Sequence, residues 1–457
     1  MISADRRPRT RASRPGGWRT VISALGAASL VVTAANAQST APLSRRVVVS
    51  PSGEIRTIAD GIRAVAAGGE VVVRAGTYRE PTIVIDRPVR IVGEGWPTVD
   101  GEWLHELVRV AADDVTIRGM RFTRVGASMT EDRAAIRVTL RHGCVIERNR
   151  FDDTFFGVYL EKASDCRITD NVFVGRARPG TESTSANAIH LWSARDVLIA
   201  RNSIRGHRDG IYFEFVRATR VEDNRSEDNV RYGLHFMYSD SCDYVRNTFR
   251  RNGSGVAVMY TRVVRMTGNH FLDNRGGAAY GLLLKEIGDP VLVGNEFARN
   301  TVGLMADGAT RLVAEHNEFR DNGWAMRLMA NVQDGRFVAN DFAGNTFDVA
   351  SNGGSGDAAS FDGNWFDEYH GYDLDRDGRG DVAHRPVRLF SLLVARYEPA
   401  LVLQHSTFVA LLDGAERAIP SLTPRTLADP HPAMQPVAAK RVPSQAARSS
   451  TTSGSRL

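Results

Sequence analysis

The sequence predicts an all-β fold: a single-stranded, right-handed parallel β-helix with an N-terminal helical cap and a helical C-terminal segment. Three observations point there. The pattern apolar-x-x-Asn-x-Phe recurs along the middle of the chain. Its asparagines are Asn149, Asn171, Asn202, Asn224, Asn247, Asn269, Asn295, Asn317, Asn340 and Asn364, spaced 22 to 31 residues apart and mostly 22 or 23. A second marker keeps the same rhythm, a small residue followed by alternating apolar positions, as in Gly157-Val-Tyr-Leu, Gly210-Ile-Tyr-Phe and Gly233-Leu-His-Phe. Repeats of this length, built from short strands and Gly/Asn turns, describe coils stacked about 4.8 Å apart. Asparagine suits a coil corner because it tolerates left-handed turns and its amide bonds to the amide on the next coil. The marked asparagines imply ten coils.

Residues 1–37 read as a cleavable export signal. Arg6 to Arg19 is basic, Val21 to Ala35 is apolar, and Ala35-Asn36-Ala37 offers a small-x-small cleavage site. The apolar run is shorter than the roughly 20 residues a spanning helix needs, so a periplasmic product is expected. Pro8 and a long spacer separate Arg6-Arg7 from that run, which favours the general route over twin-arginine export. Residues 45–366 form the β-helix, and 45–100 its cap and first coils. Thr57–Ala67 spells a short amphipathic helix that covers the open strand edges of the first coil. The two longest intervals place loops at Arg176–Ser185 and Gly276–Ala279. Residues 367–384 form an acidic loop. Residues 385–436 are a helical docking segment, with Leu389, Leu392, Leu393 and Tyr397 at helical spacing. Residues 437–457 are polar, of low complexity and expected to be disordered.

The formal charge is +5, but residues 1–37 carry six arginines against Asp5 alone, and the remaining 420 residues balance 52 bases with 52 acids. A polyanion-binding surface needs a net basic face, so no nucleic-acid partner is expected. The lysines are Lys162, Lys285 and Lys440. None follows a glycine, which excludes a GxxxxGK(S/T) phosphate loop. Any ATP-driven step belongs to a partner.

Within each repeat strand the second and fourth residues after the small residue point outward. Those columns read Tyr159 and Glu161, His190 and Trp192, Tyr212 and Glu214, His235 and Met237, then Ala257 and Met259. A contiguous aromatic exterior marks an interaction surface, here Tyr159, His190, Trp192 and Tyr212. His235, Met237 and Met259 form a soft ligand set suited to Cu(I). The competing reading is a face covered by the C-terminal segment or a partner, with methionine serving for adaptable packing. Cys144, Cys166 and Cys242 share one column and read first as small buried side chains, with a Cys144–Cys166 disulfide or a thiolate copper site as the alternatives. Asp373, Asp375, Asp377 and Asp381 alternate around Gly378 in the manner of a calcium loop, although position twelve is His384. Paired carboxylates on neighbouring coils, which a polysaccharide-cleaving β-helix needs, are not evident. Asp429-Pro-His431 lies beyond the helical segment, and no catalytic residue is assigned.

The motifs Tyr232-Gly-Leu-His-Phe-Met-Tyr238, Gly255-Val-Ala-Val-Met-Tyr260, Gly371 to Asp381 and Leu411 to Glu416 with Pro424 give a more specific signal. Through them the chain resembles the NosD family of nitrous-oxide-reductase maturation proteins, from about residue 47 to Met434. The resemblance implies a non-enzymatic periplasmic component of an ABC-type complex with a separate ATPase and membrane subunit. A copper chaperone and apo nitrous oxide reductase would be further partners, with copper transient and calcium structural. It also implies that the C-terminal segment docks the membrane subunit, leaving the protein peripheral to the inner membrane. His384 departs from the aromatic usual in the family before Arg-Pro, which leaves a metal role there open. The alternative is a secreted carbohydrate-binding or carbohydrate-active β-helix that uses Glu161, Glu214, Tyr159, Trp192 and Tyr212.

Overall fold

The computed structural model describes residues 43–437, apart from 129, 182–184, 330, 352–358 and 420–426. The expected export signal, Pro424 and the tail from 438 onward lie outside the described residues. The chain winds through three parallel sheets of 14, 12 and 13 strands, each strand paired to its counterparts one coil before and one coil after. This is the predicted right-handed parallel β-helix, with more coils than the asparagines mark. The first coils, from Ser44–Val49 to Thr116–Arg118, lack the motif yet pair in the same sheets.

Helix α1 (Ile58–Ala64) caps the N-terminal end. The Thr57 hydroxyl accepts the Asp60 N–H at 3.0 Å, and Glu80 Oε1 accepts the Ile58 N–H at 2.7 Å. These bonds satisfy helix-end donors that would otherwise be orphaned. Ile58 and Ile62 pack into the core of the first coils.

The phenylalanine two residues after each asparagine points inward and stacks on its neighbour. Phe271, Phe297, Phe319, Phe342 and Phe366 form one such column, with centroids 4.6 to 5.2 Å apart. Coil spacing sets that distance, so each ring meets the next near its contact optimum. Ile204 and Ser226 interrupt the column.

The asparagines bond amide to amide between coils as expected, but they are not the left-handed residues of the corner. The left-handed residue is the one before each of them, for example Arg148, Asp170, Asp223 and Arg246 with φ of 52° to 58°. The asparagine itself is buried. Its Nδ2 donates to the Oδ1 of the asparagine on the next coil at 2.9 to 3.2 Å, as from Asn149 to Asn171 and from Asn247 to Asn269. The ladder ends on a carboxylate, Asp429 Oδ2, at 2.8 Å from Asn364 Nδ2. The Asp429-Pro-His431 turn, expected in a tail, therefore folds back and closes the last coil. A second ladder runs five residues downstream: Asn229, Asn252, Asn274, Asn300, Asn322 and Asn345, capped by Asp348. The N-x4-N spacing carried that signal, and the sequence reading missed it.

The cysteine column is also corrected. Cys144 and Cys166, on adjacent coils, form a disulfide, and Cys242 remains a buried free thiol. Adjacent coils bring the two Cα atoms to 4.5 Å, within bonding reach. Beyond the last coil the chain forms α2 (Leu389–Arg396), a 3₁₀ turn (Glu398–Leu403) and α3 (Thr407–Ala418). Phe390 and Val394 of α2 pack on Val302, Trp324 and Phe347, which face outward from the 12-stranded sheet. No helix among the described residues is long and apolar enough to cross a membrane.

Candidate functional site

The outer face of the 12-stranded sheet carries the side chains singled out above. Register places Tyr159, His190, Tyr212 and His235 in one column over consecutive coils. The adjoining column runs Glu161, Trp192, Glu214, Met237, Met259 and Lys285. Inward residues such as Leu234 and Phe236 alternate with these and fill the core, so the strand's two-residue period aims the candidate ligands out of the coil.

Outward does not mean exposed, and here the expectation for His235 needs correction. Its ring is only 6% accessible. Tyr212 lies edge-on at 5.1 Å and Tyr232 at 4.7 Å. At coil spacing, large rings above or beside an imidazole close over it. Both ring nitrogens are buried without a hydrogen-bond partner. Burial, reinforced by Arg231 and Arg208, holds its pKa down at about 4, so the ring is neutral at neutral pH, the form that ligates metal. Met237 and Met259 are partly accessible and sit directly opposite each other on adjacent coils. Two thioethers in register, with a neutral imidazole two residues away on the same strand, form a soft ligand set of the kind suited to Cu(I). α2 covers only the later coils of this face, leaving the thioether pair clear of it.

The expected partner surface divides in two. Tyr159 is buried and His190 and Tyr212 are half-buried; together with Phe156 and His235 they form a stack of rings 4.6 to 5.4 Å apart. Arg208 Nη2 donates to Asn187 Oδ1 at 3.2 Å, which turns the amide so that its Nδ2 donates to His190 Nδ1 at 2.9 Å. The His190 proton is therefore on Nε2, and burial pushes that ring's pKa down to about 3. Asp209 lies in the same layer between Arg208 at 3.4 Å and Arg231 at 3.6 Å, and burial raises its pKa. Trp192 is half-exposed, with Lys162 Nζ 4.9 Å from its ring centre.

Two features join residues the sequence singled out to others it did not. The first is an open groove of about 770 Å³ whose floor includes Tyr159, His190 and Trp192 and whose walls include His105, Glu106 and Asp132. Its walls come from coils without the asparagine motif, so no repeat signal pointed to them. The second is a rim of stacked rings, Phe215, Tyr238 and Tyr260, with centroids 5.2 Å apart. Each sits at positive φ, 56°, 50° and 54°, a conformation that costs a bulky residue about 1 to 2 kcal/mol.

In the acidic loop, carboxylate oxygens of Asp373, Asp375 and Asp377 lie within 4.8 Å of one another, the convergence a hard cation requires. Asp381 stands outside that trio and accepts the Leu374 N–H at 2.7 Å. His384 is not brought to the trio. It packs 4.3 Å from the Phe366 ring, and burial lowers its pKa to about 4.

Comparison with known proteins shows the family. A family model described as periplasmic copper-binding protein (NosD) matches residues 177–369, a span that contains His235, Met237 and Met259 but ends before Asp373. A probable ABC transporter binding protein NosD from Pseudomonas aeruginosa is 31% identical over 402 residues, covering 84% of this chain and 92% of the relative. The corresponding protein from Stutzerimonas stutzeri is 26% identical, covering 79% and 86%. Among solved structures, the A-module of the mannuronan C-5 epimerase AlgE6 from Azotobacter vinelandii superposes with a TM-score of 0.53 at 12% identity, covering 68% of this chain and 93% of that one. XylC in complex with xylose gives 0.50 at 11% identity, covering 70% and 83%. Those two likenesses concern the winding of the chain alone. The similarity to these relatives covers most of their length, and the chain belongs to the NosD family.

Proposed function

We propose that the protein is a non-enzymatic periplasmic component of an ABC-type maturation complex and receives copper destined for the centres of nitrous oxide reductase. The single observation that carries this reading is the pairing of Met237 with Met259 on adjacent coils, two residues beyond the unpartnered imidazole of His235. The family description, copper-binding and periplasmic, supports it, as does the relatives' name, ABC transporter binding protein. Copper is cargo here. It arrives from a chaperone and leaves toward the apo-reductase by exchange of soft ligands, and no covalent chemistry is needed.

The C-terminal segment supports attachment to the membrane subunit, and through it to the ATPase. Tyr397, Val402 and Leu411 are largely solvent-exposed, Val402 at 86%, and apolar side chains clustered on one segment mark a surface that a partner covers. Asp373, Asp375 and Asp377 would hold a structural calcium ion where the coils pass into that segment. Calcium should raise the thermal midpoint, and Asp375→Asn should abolish the increment.

The decisive measurement is Cu(I) competition against a colorimetric chelator. Met237→Leu/Met259→Leu preserves volume and apolarity, and it is expected to lower Cu(I) affinity by at least tenfold. Unchanged affinity would remove the site. His235→Phe keeps the ring stack and separates an imidazole contribution from the thioethers.

A further inference from the structure

Resting on the reading that Met237 and Met259 receive copper, we infer that the copper-carrying partner docks through an extended, positively charged segment laid along the outer column from the groove to Met259.

Charge gives the first argument. Five carboxylates face the groove against three guanidinium groups. Glu106 is taken by Arg109 at 3.0 Å and Arg137 at 2.7 Å, Glu131 by Arg133 at 2.8 Å, and Glu161 faces Arg137 at 3.7 Å. Asp132 and Glu214 have no basic partner among the described residues. Beside the lane, Lys162 lies over Trp192, and Arg208 and Arg231 bracket the buried Asp209 at 3.4 and 3.6 Å. Acids and bases therefore balance at six each, and it is the two carboxylates left unpaired, Asp132 and Glu214, that call for a cationic segment. Glu214 is also the last carboxylate before the thioethers, directly opposite Met237 on the preceding coil. A cationic chain anchored there is delivered to the metal ligands.

Backbone strain gives the second, independent argument. The corner after the sheet adopts positive φ on consecutive coils, at Leu140, Lys162 and Ser193 before the rim, at the three rim residues, and at Glu286 and Gly308 after it, and aromatic rings occupy it on the three rim coils alone. Phe215, Tyr238 and Tyr260 occupy this unfavourable position on three consecutive coils, each next in sequence to Glu214, Met237 and Met259. They are 47%, 45% and 43% accessible, so no core burial offsets the strain. Side chains kept under strain and in solvent have their use in a contact outside the chain.

Shape selects polypeptide over glycan. A sugar ring stacks on an open aromatic face. Here Lys162 holds one face of Trp192, and the rim rings turn their faces onto one another. What remains open is ring edges and a row of carboxylates at coil spacing. Aliphatic stems of lysine or arginine cover such edges while their charges reach the acids. From the first groove strand to Met259 is seven coil spacings, about 34 Å, the length of roughly ten extended residues.

The test uses the full mature chain without copper and a fluorescein-labelled ten-residue peptide of alternating lysine and alanine. A glutamate–alanine peptide and chitotetraose are the controls, with anisotropy and Trp192-sensitive fluorescence as readouts. The lysine peptide should bind, weaken steeply with salt, and lose at least tenfold in affinity in Asp132→Asn/Glu214→Gln. A similar loss is expected in Phe215→Asn/Tyr238→Asn/Tyr260→Asn, with the thermal midpoint within a few degrees of the parent, because asparagine accepts positive φ. Equal binding by the parent and both variants overturns the inference. Binding of chitotetraose in place of the lysine peptide does so too, and assigns the groove to a glycan. A large fall in the triple variant's midpoint would make the rim a structural stack, and the acid pair would then decide the lane alone. Cu(I) affinity is read in parallel. Met237→Leu/Met259→Leu should lose copper and keep the peptide, whereas the lane variants should lose the peptide and keep copper. A parent that binds peptide but no copper refutes the metal reading and leaves the lane standing.

Discussion

Replacing Asn247 by alanine tests what holds the coils in register. Its Nδ2 donates to Val221 O at 2.8 Å and to Asn269 Oδ1 at 3.0 Å, while its Oδ1 accepts both the Asn224 N–H and Asn224 Nδ2, each at 3.0 Å. All of this is buried. Alanine removes the bond from the Val221 carbonyl and leaves the Asn224 N–H without an acceptor. It also weakens two amides that retain other bonds, since Asn269 Oδ1 still accepts from the residue 247 N–H and Asn224 Nδ2 still reaches Ile199 O. Two orphaned backbone groups at about 1 to 3 kcal/mol each, plus the weakened pair, give a loss of about 3 to 5 kcal/mol. Urea unfolding followed by far-ultraviolet circular dichroism measures it. Asn247→Asp is the informative companion. A carboxylate accepts from Asn224 but has no proton for Val221 O and lies against Asn269 Oδ1. It should be as damaging at pH 7 and partly recover as acid protonates it. Its folded-state pKa is raised, so the stability it contributes is present at low pH and lost as pH rises. A cost below about 1 kcal/mol for Asn247→Ala, or no acid recovery of Asn247→Asp, would refute the claim that the ladder's donor and acceptor sense is what matters.

Cys144→Ser/Cys166→Ser opens a loop of 22 residues and should cost about 3 kcal/mol; reduction of the parent with dithiothreitol should give a matching loss in the same urea series. His190, His207 and His235 have pKa values held at about 3, 4 and 4 by burial, against an ordinary 6.5. The unfolded chain therefore takes up protons first, and the stability these rings contribute above pH 6.5 is lost as pH falls toward 4. Asp348, raised by burial to about 7, acts in the opposite sense, being stabilising at low pH and less so above 7. His384, also held at about 4 by burial, makes four imidazoles, and burial raises Asp209, Asp153 and Glu80 besides Asp348 but shifts Asp348 the furthest. The balance is a net fall in the thermal midpoint between pH 6.5 and 4, and a steady rise on acidification would contradict these assignments. Phe390→Ala empties the contact of α2 with Phe347, whose ring lies 5.9 Å away. Truncation of a buried phenylalanine costs about 3 to 5 kcal/mol, and here the effect should be local: limited proteolysis should cut 389–419 faster while the coils keep their melting point.

The sequence by itself determined the winding. One asparagine and one inward phenylalanine per coil are enough to specify it, because both interactions need identical residues at identical heights and so leave a period that survives in one dimension. The helical cap at Thr57 and the break into helices after Arg388 were legible for the same reason, through caps and spacing. The tertiary structure decided whatever depends on neighbours 22 residues or more away. It made Cys144 and Cys166 a disulfide, since their separation is set by coil stacking. It closed Tyr212 and Tyr232 over His235, because an outward direction says nothing about the height of adjacent side chains. It turned Asp429 from a tail residue into the end of a hydrogen-bonded ladder. The groove before Trp192 and the strained rim beside Met237 appear only once the coils are stacked: Tyr238 and Tyr260 close two of the family motifs, but it is the lateral register of the sheet that sets their rings face to face and brings His105 and Asp132 beside Trp192.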